Sequence, residues 1–213
     1  MKTFKVSGSP RTDFGKKAAT ALRAEGLIPA ILYGGEAMAL PYDSSLNEGR
    51  KIVETQGKAV VVTDFAVTFD AIRKLIYTSE IFLVELTIAG RTSQAIVKDI
   101  QFHPVSEKIL HIDFLEVFET KPIVIDVPVV LEGHSIGVRA GGKLNLILRK
   151  LRVKGLAKHI PEVLHINTEN LELGKSIQVK SLQFDNLQLL NAPASIVCVV
   201  KATRGSKTAE PAK

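Results

Sequence analysis

The chain has 213 residues, 46% of them hydrophobic, with a formal charge of +6, which suits one large core or two small ones and excludes bulk disorder. The opening MKTFKVSGSPR holds no apolar run of signal-peptide length, and no later stretch approaches the roughly eighteen uncharged apolar residues of a membrane span. Cys198, inside SIVCVV, is the only cysteine, so a disulfide within the chain is excluded and a buried strand thiol in a reducing, cytoplasmic setting is expected.

With no Trp, two Met and abundant Val, Ile and Leu, the composition leans towards β structure. FKVSG alternates as a short strand. Gly15 to Glu25 reads as a helix, with Gly26 where a left-handed C-cap belongs. At about 100° per residue, Lys16, Thr20 and Arg23 share one stripe and Ala18 and Leu22 lie opposite. So short a helix must dock through that small apolar face and turn the basic stripe outward. Ala30 to Tyr33 is a strand stopped by Gly34 and Gly35. SSLNEGRKIVETQGK reads as a weak helix or loop, KAVVVTDF as a strand, and FDAIRKLIYT as an amphipathic helix burying Phe69, Ile72, Leu75 and Ile76. IFLVELTIAGRTSQAIVKDI is a hairpin turning at Gly90-Arg91, and KILHIDFLEV is another strand.

The pattern changes near Glu119 to Pro122. Beyond it, strands are expected at 123–131, 146–156, 162–167, 175–180, 187–190 and 194–200, with no helical period. The expected fold is therefore mainly β with a few helices: an N-terminal barrel-like domain over 1–118 carrying short helices, an all-β C-terminal domain over 119–201, and a disordered tail over 202–213. The Gly-rich loop 133–145 lacks both GxxxxGK[ST] and GxGxxG, so it reads as a long turn and not as a phosphate cradle.

Charge is uneven. Residues 1–35 hold six Lys or Arg against two acids, residues 201–213 hold four against one, and Arg139 to Lys158 carries seven cations and no acid. Positive patches on a near-neutral body point to a polyanion partner or to a solvated basic surface. On a strand, His111 and Asp113 share a face, and a neighbouring strand would bring Gln101 and His103 beside them. Two His and one Asp could hold a metal for hydrolysis, or serve acid–base chemistry, although no HExxH spacing or nucleophile elbow accompanies them. The same groups could read hydroxyls and base edges in the shallow minor groove of an RNA helix, or could satisfy one another on an exposed sheet. Lys16, Lys17 and Arg23 would then grip phosphates while Tyr33, Gln101, His103, His111 and Asp113 specify. In the C-terminal half, the alternating Lys150, Arg152 and Lys154 offer either a partner surface or a solvated outer face.

GKKAATALRAEGLIPAILYGG, KDIQFHPVSEKILHIDFLEV, GVRAGGKLN and IPEVLHINTENLELGKSIQVKSL together resemble, in order, the bacterial large-subunit ribosomal protein family L-twenty-five in its long two-domain form, also called CTC or general stress protein. The resemblance implies a non-enzymatic structural protein that binds 5S ribosomal RNA through its N-terminal domain, needs no cofactor or metal, and is ribosome-associated in the cytoplasm and monomeric when free. It implies RNA contacts at Arg11, Lys16, Arg23, Tyr33, Gln101, His103, His111 and Asp113, with Lys17 and Lys98 as neighbours. The chain departs from some relatives at Thr20, Ala21 and Phe102, where Arg is frequent, and about 37–64 looks inserted relative to the short domain.

Overall fold

A computed structural model describes residues 2–34, 38–39, 51–55 and 58–203, with 38–39, 51–55 and 58–60 described by backbone alone. The chain divides into two compact units, Met1–Lys121 and Pro122–Lys213. Unit 1 is β1 (Lys2–Pro10), α1 (Lys16–Ala24), β2 (Leu27–Tyr33), β3 (Met38–Ala39), β4 (Lys51–Thr55), β5 (Lys58–Thr68), α2 (Phe69–Ile76), β6 (Phe82–Ile88), β7 (Arg91–Phe102) and β8 (Ile109–Glu116).

Six of these strands close into a barrel in the order β1-β6-β7-β8-β2-β5, sealed where Ser9 and Pro10 of β1 meet Ala66 and Phe65 of β5. Closure needs Gly8: a Cβ there would stand 2.5 Å from the ring of Phe65, which is itself fully buried. Inside lie alternate residues of each strand, among them Ala30, Leu32, Phe65, Val67, Val84, Leu86, Ile112 and Phe114. The Phe65 and Phe114 rings meet at 5.6 Å. Ile72 and Leu75 of α2 join this cluster, with Ile76 packed against it, so α2 buries the apolar stripe its periodicity predicts. Phe69 departs from that stripe, pairing with Tyr77 at the surface.

Two further local expectations in unit 1 change. Lys51–Thr55, read as weak helix or loop, is a strand paired antiparallel with β5, because Ile52, Val53 and Thr55 suit a pleated ladder better than a helix; residues 40–50 and 56–57 lie outside the described residues. Strand β2 begins at Leu27, not Ala30, and runs through Pro29. Its pairing with β8 starts only at Ala30, so the missing N–H of Pro29 interrupts no ladder on that side.

Unit 2 is β9 (Ile123–Glu132), α3 (Ile136–Arg139), β10 (Lys143–Leu146), β11 (Lys150–Gly155), β12 (Leu164–Asn167), β13 (Ser176–Gln178), β14 (Gln188–Leu189) and β15 (Ile196–Lys201). They form two sheets, β12-β9-β11-β14 and β10-β15-β13. Cys198 lies in the second sheet, fully buried, and burial pushes its thiol pKa up. The long turn expected at 133–145 contains a helical turn, started by Ser135, whose Oγ accepts from Val138 N at 3.2 Å. Gly137 is buried there because a Cβ would stand 2.7 Å from the Glu172–Leu173 backbone. The single strand expected over 146–156 is broken after Leu146, where Ile147 and Leu148 both donate to the carbonyl of Val197. The tail from 204 onward lies outside the described residues.

Candidate nucleic-acid interface

The pairing of β7 with β8 puts Gln101 opposite His111 and Asp99 opposite Asp113. These side chains leave the barrel on its outer face, since Ile112 and Phe114 alternate inward. His111 Nδ1 lies 2.6 Å from Asp113 Oδ1, with both side chains about a quarter exposed (27% and 29%). With Asp113 accepting from Nδ1–H, the ring presents Nε2 to any partner beyond it. Tyr33 ends β2 on the same face, one alternation from Ile31, which is the register partner of Asp113. Its pKa is raised above 10.0, first by burial and then by the charges of Asp113 and Asp99. Its hydroxyl is therefore a proton donor at neutral pH.

A break in the ladder brings α1 to this face. The β7–β8 register passes from Gln101↔His111 to Phe102↔Ile109 and skips Leu110, while the β2–β8 register begins beyond it at Ala30↔Ile112. The Leu110 carbonyl is thereby left outside both registers, and Arg23 takes it: Nε and Nη2 donate to it at 3.0 and 2.9 Å. Helix α1 buries no residue fully, and Ala18, Ala19 and Leu22 are its half-buried face. Its end is set by Glu25 in helical geometry followed by Gly26 at φ +80°. Lys16 and Lys17 are exposed, and Lys16 lies about 10 Å along the axis from Arg23. Thr20 contributes no charge to the stripe; its hydroxyl donates to the Lys16 carbonyl at 2.8 Å.

Arg11 directly follows β1. Its N–H bonds Asp64 O at 3.2 Å, and Asp64, Ile31 and Asp113 form one row across β5, β2 and β8, spanning roughly 10 Å from Asp64 to Asp113. Lys98 is the extra residue of a bulge between Val97 and Asp99, exposed beside that row.

His103 plays a different part from the one its spacing suggests. Its Nδ1 accepts from Val105 N at 3.3 Å and Ser106 N at 3.1 Å, so the imidazole organises the β7–β8 turn. Among the described residues, no group of three or more His, Cys, Asp or Glu is placed to hold a metal, and His103, His111 and Asp113 do not form one. Sequence reasoning also passed over Asp99 and the Leu110 carbonyl. Asp99 was reachable, being two residues before Gln101 on the same strand face; the carbonyl has no side-chain signature.

Residues 6–114 match the Ribosomal L25p family. The chain belongs to that family. Residues 122–204 match the C-terminal domain of ribosomal protein TL5, which makes this the long two-domain form. The large ribosomal subunit protein bL25 of Porphyromonas gingivalis is 51% identical over 98% of this chain and 97% of its own length. The protein of the same name from Parabacteroides distasonis is 47% identical over 99% and 98%, and that from Bacteroides thetaiotaomicron is 41% identical over 98% and 97%. The L25p family is one of structural ribosomal proteins and not of enzymes, so the hydrolase alternative is set aside.

Proposed function

We propose that the protein is a structural constituent of the large ribosomal subunit and that unit 1 binds 5S ribosomal RNA, in the cytoplasm, as a monomer before assembly and without cofactor or metal. Subunit membership is supported by the bL25 relatives. The RNA reading is carried by one observation: the Arg23 fork on the Leu110 carbonyl holds a cationic helix beside His111 and Asp113. Arg11, Lys16, Lys17 and Lys98 are the phosphate contacts in this reading, which fix register without reading sequence. Gln101, the His111–Asp113 pair and the protonated Tyr33 supply donors and acceptors to ribose hydroxyls and base edges. His103 contributes by shaping the turn beside them and through its Nε2.

The test is a gel shift with 5S ribosomal RNA over a salt series, against an unrelated folded RNA of equal length. Changing Lys16 and Lys17 together to Ala is expected to weaken binding and to flatten the log–log salt slope by about 1 to 2. His111→Ala is expected to cost about 1–3 kcal/mol and to erode discrimination, with little change in slope. Equal affinity of the native protein for both RNAs would refute the reading.

A further inference from the structure

Arg11 and Phe14 stand outside the row of hydrogen-bonding side chains, in the segment between β1 and α1, and their geometry has a chemistry of its own. Phe14 is an aromatic side chain left 48% exposed two residues before Lys16. The Arg11 guanidinium carbon sits 5.8 Å from the centre of its ring. That guanidinium is held in place by Nη2, which donates to Asp13 O at 3.2 Å. Its Nε is buried without a hydrogen-bond partner, an arrangement that costs the fold and is not explained by it. The pair is thus a half-exposed ring with a cation over it, close in sequence to the exposed Lys16.

We propose that Phe14 is a stacking platform for one unpaired nucleobase of the bound RNA, with Arg11 behind the ring and Lys16 on the adjoining phosphate. This rests on the RNA-binding reading and adds to it a contact that discriminates by accessibility: a base stacked within a helix cannot reach the ring, whereas a bulged or looped base can. Because every base has a π-face, the contact is tolerant of base identity, unlike those of Gln101 and His111.

Three variants of the full chain test it with 5S ribosomal RNA as the probe. Phe14→Leu is expected to bind about tenfold more weakly at an unchanged salt slope, the loss of one stacked base. Phe14→Tyr is expected to bind like the native protein. The chain has no Trp, so Phe14→Trp provides a single indole reporter whose fluorescence is expected to be quenched on saturation with RNA. Native affinity in Phe14→Leu overturns the proposal. So does weakened binding in Phe14→Leu with an unquenched indole in Phe14→Trp, which would mean that Phe14 merely supports the start of α1. Should Phe14→Leu fail to fold, the quenching result alone decides. If the native protein does not prefer 5S RNA, the RNA reading itself fails and this contact falls with it; if the native protein binds and the two variants behave as just described for overturning, only the stacking contact is lost.

Discussion

Replacing Arg23 by Lys keeps the charge of α1 and removes the fork that holds the helix. In the native protein Nε and Nη2 both donate to Leu110 O, at 3.0 and 2.9 Å. A lysine ammonium offers a single point of contact and no planar pair. The site is exposed, so the loss is set below the range of a buried charged hydrogen bond, at about 1 kcal/mol. That is small against the whole barrel, but α1 buries none of its residues fully and has little else to hold it. Local opening of α1 is therefore expected to rise about fivefold, since RT is about 0.59 kcal/mol, while global melting barely moves. Hydrogen exchange of the amides of Ala19 to Gly26 reads this directly. RNA affinity should fall with an unchanged salt slope, because no charge has been removed. Native exchange protection in Arg23→Lys would show that Ala18, Ala19 and Leu22 suffice to dock the helix, and the role given to the Leu110 carbonyl would be wrong.

Tyr33 should titrate above 10.0 in an ultraviolet absorbance titration, and Tyr33→Phe should abolish that late component. The folded state keeps this proton to higher pH than the unfolded chain does, so Tyr33 leaves stability untouched below 10.0 and lowers it as pH rises from there through the folded value; Tyr33→Phe should flatten the alkaline limb of a stability–pH curve. Asp99→Asn removes one of two carboxylates that face each other across β7 and β8, and should stabilise the free protein by about 0.2–1 kcal/mol in urea unfolding. A lower midpoint in Asp99→Asn would contradict the repulsion. Phe114→Ala empties a fully buried site against Phe65 and should destabilise unit 1 by about 3–5 kcal/mol. Amide exchange in β9 and β11 should stay native in that variant, and coincident loss there would show that the two units unfold as one.

Periodicity made most of the barrel legible. FDAIRKLIYT shows the stripe that α2 buries through Ile72 and Leu75, and LHIDFLE shows the alternation that sends His111 and Asp113 outward. Failures cluster where backbone geometry overrides composition. Lys51–Thr55 forms a strand because β5 offers it a ladder, a long-range partner that local propensity does not contain. The helical turn at Ile136–Arg139 is too short for any period, and its one local sign is the capping Ser135. Among site residues, Gln101, His111, Asp113 and Tyr33 could be placed by alternation alone. The part His103 plays in its own turn was not legible, because residue spacing cannot show that a ring accepts two backbone N–H groups.

The position of α1 shows why a sheet irregularity belongs to the site. The bulge between Gln101 and Phe102 leaves Leu110 without a register partner in β7, and the β2–β8 register begins beyond it at Ile112. Arg23 donates to the Leu110 carbonyl at this irregularity, from the helix side. One shift in register thus serves two ends. It preserves the pairing of Gln101 with His111 up to the last regular step, and it gives the helix a fixed point one residue from His111. A cation on a freely rocking helix would attract phosphate without reporting its position. Anchored at Leu110, the same helix can hold Lys16 and Lys17 at a set distance from the His111–Asp113 pair, and such a fixed distance can favour one folded polyanion over another.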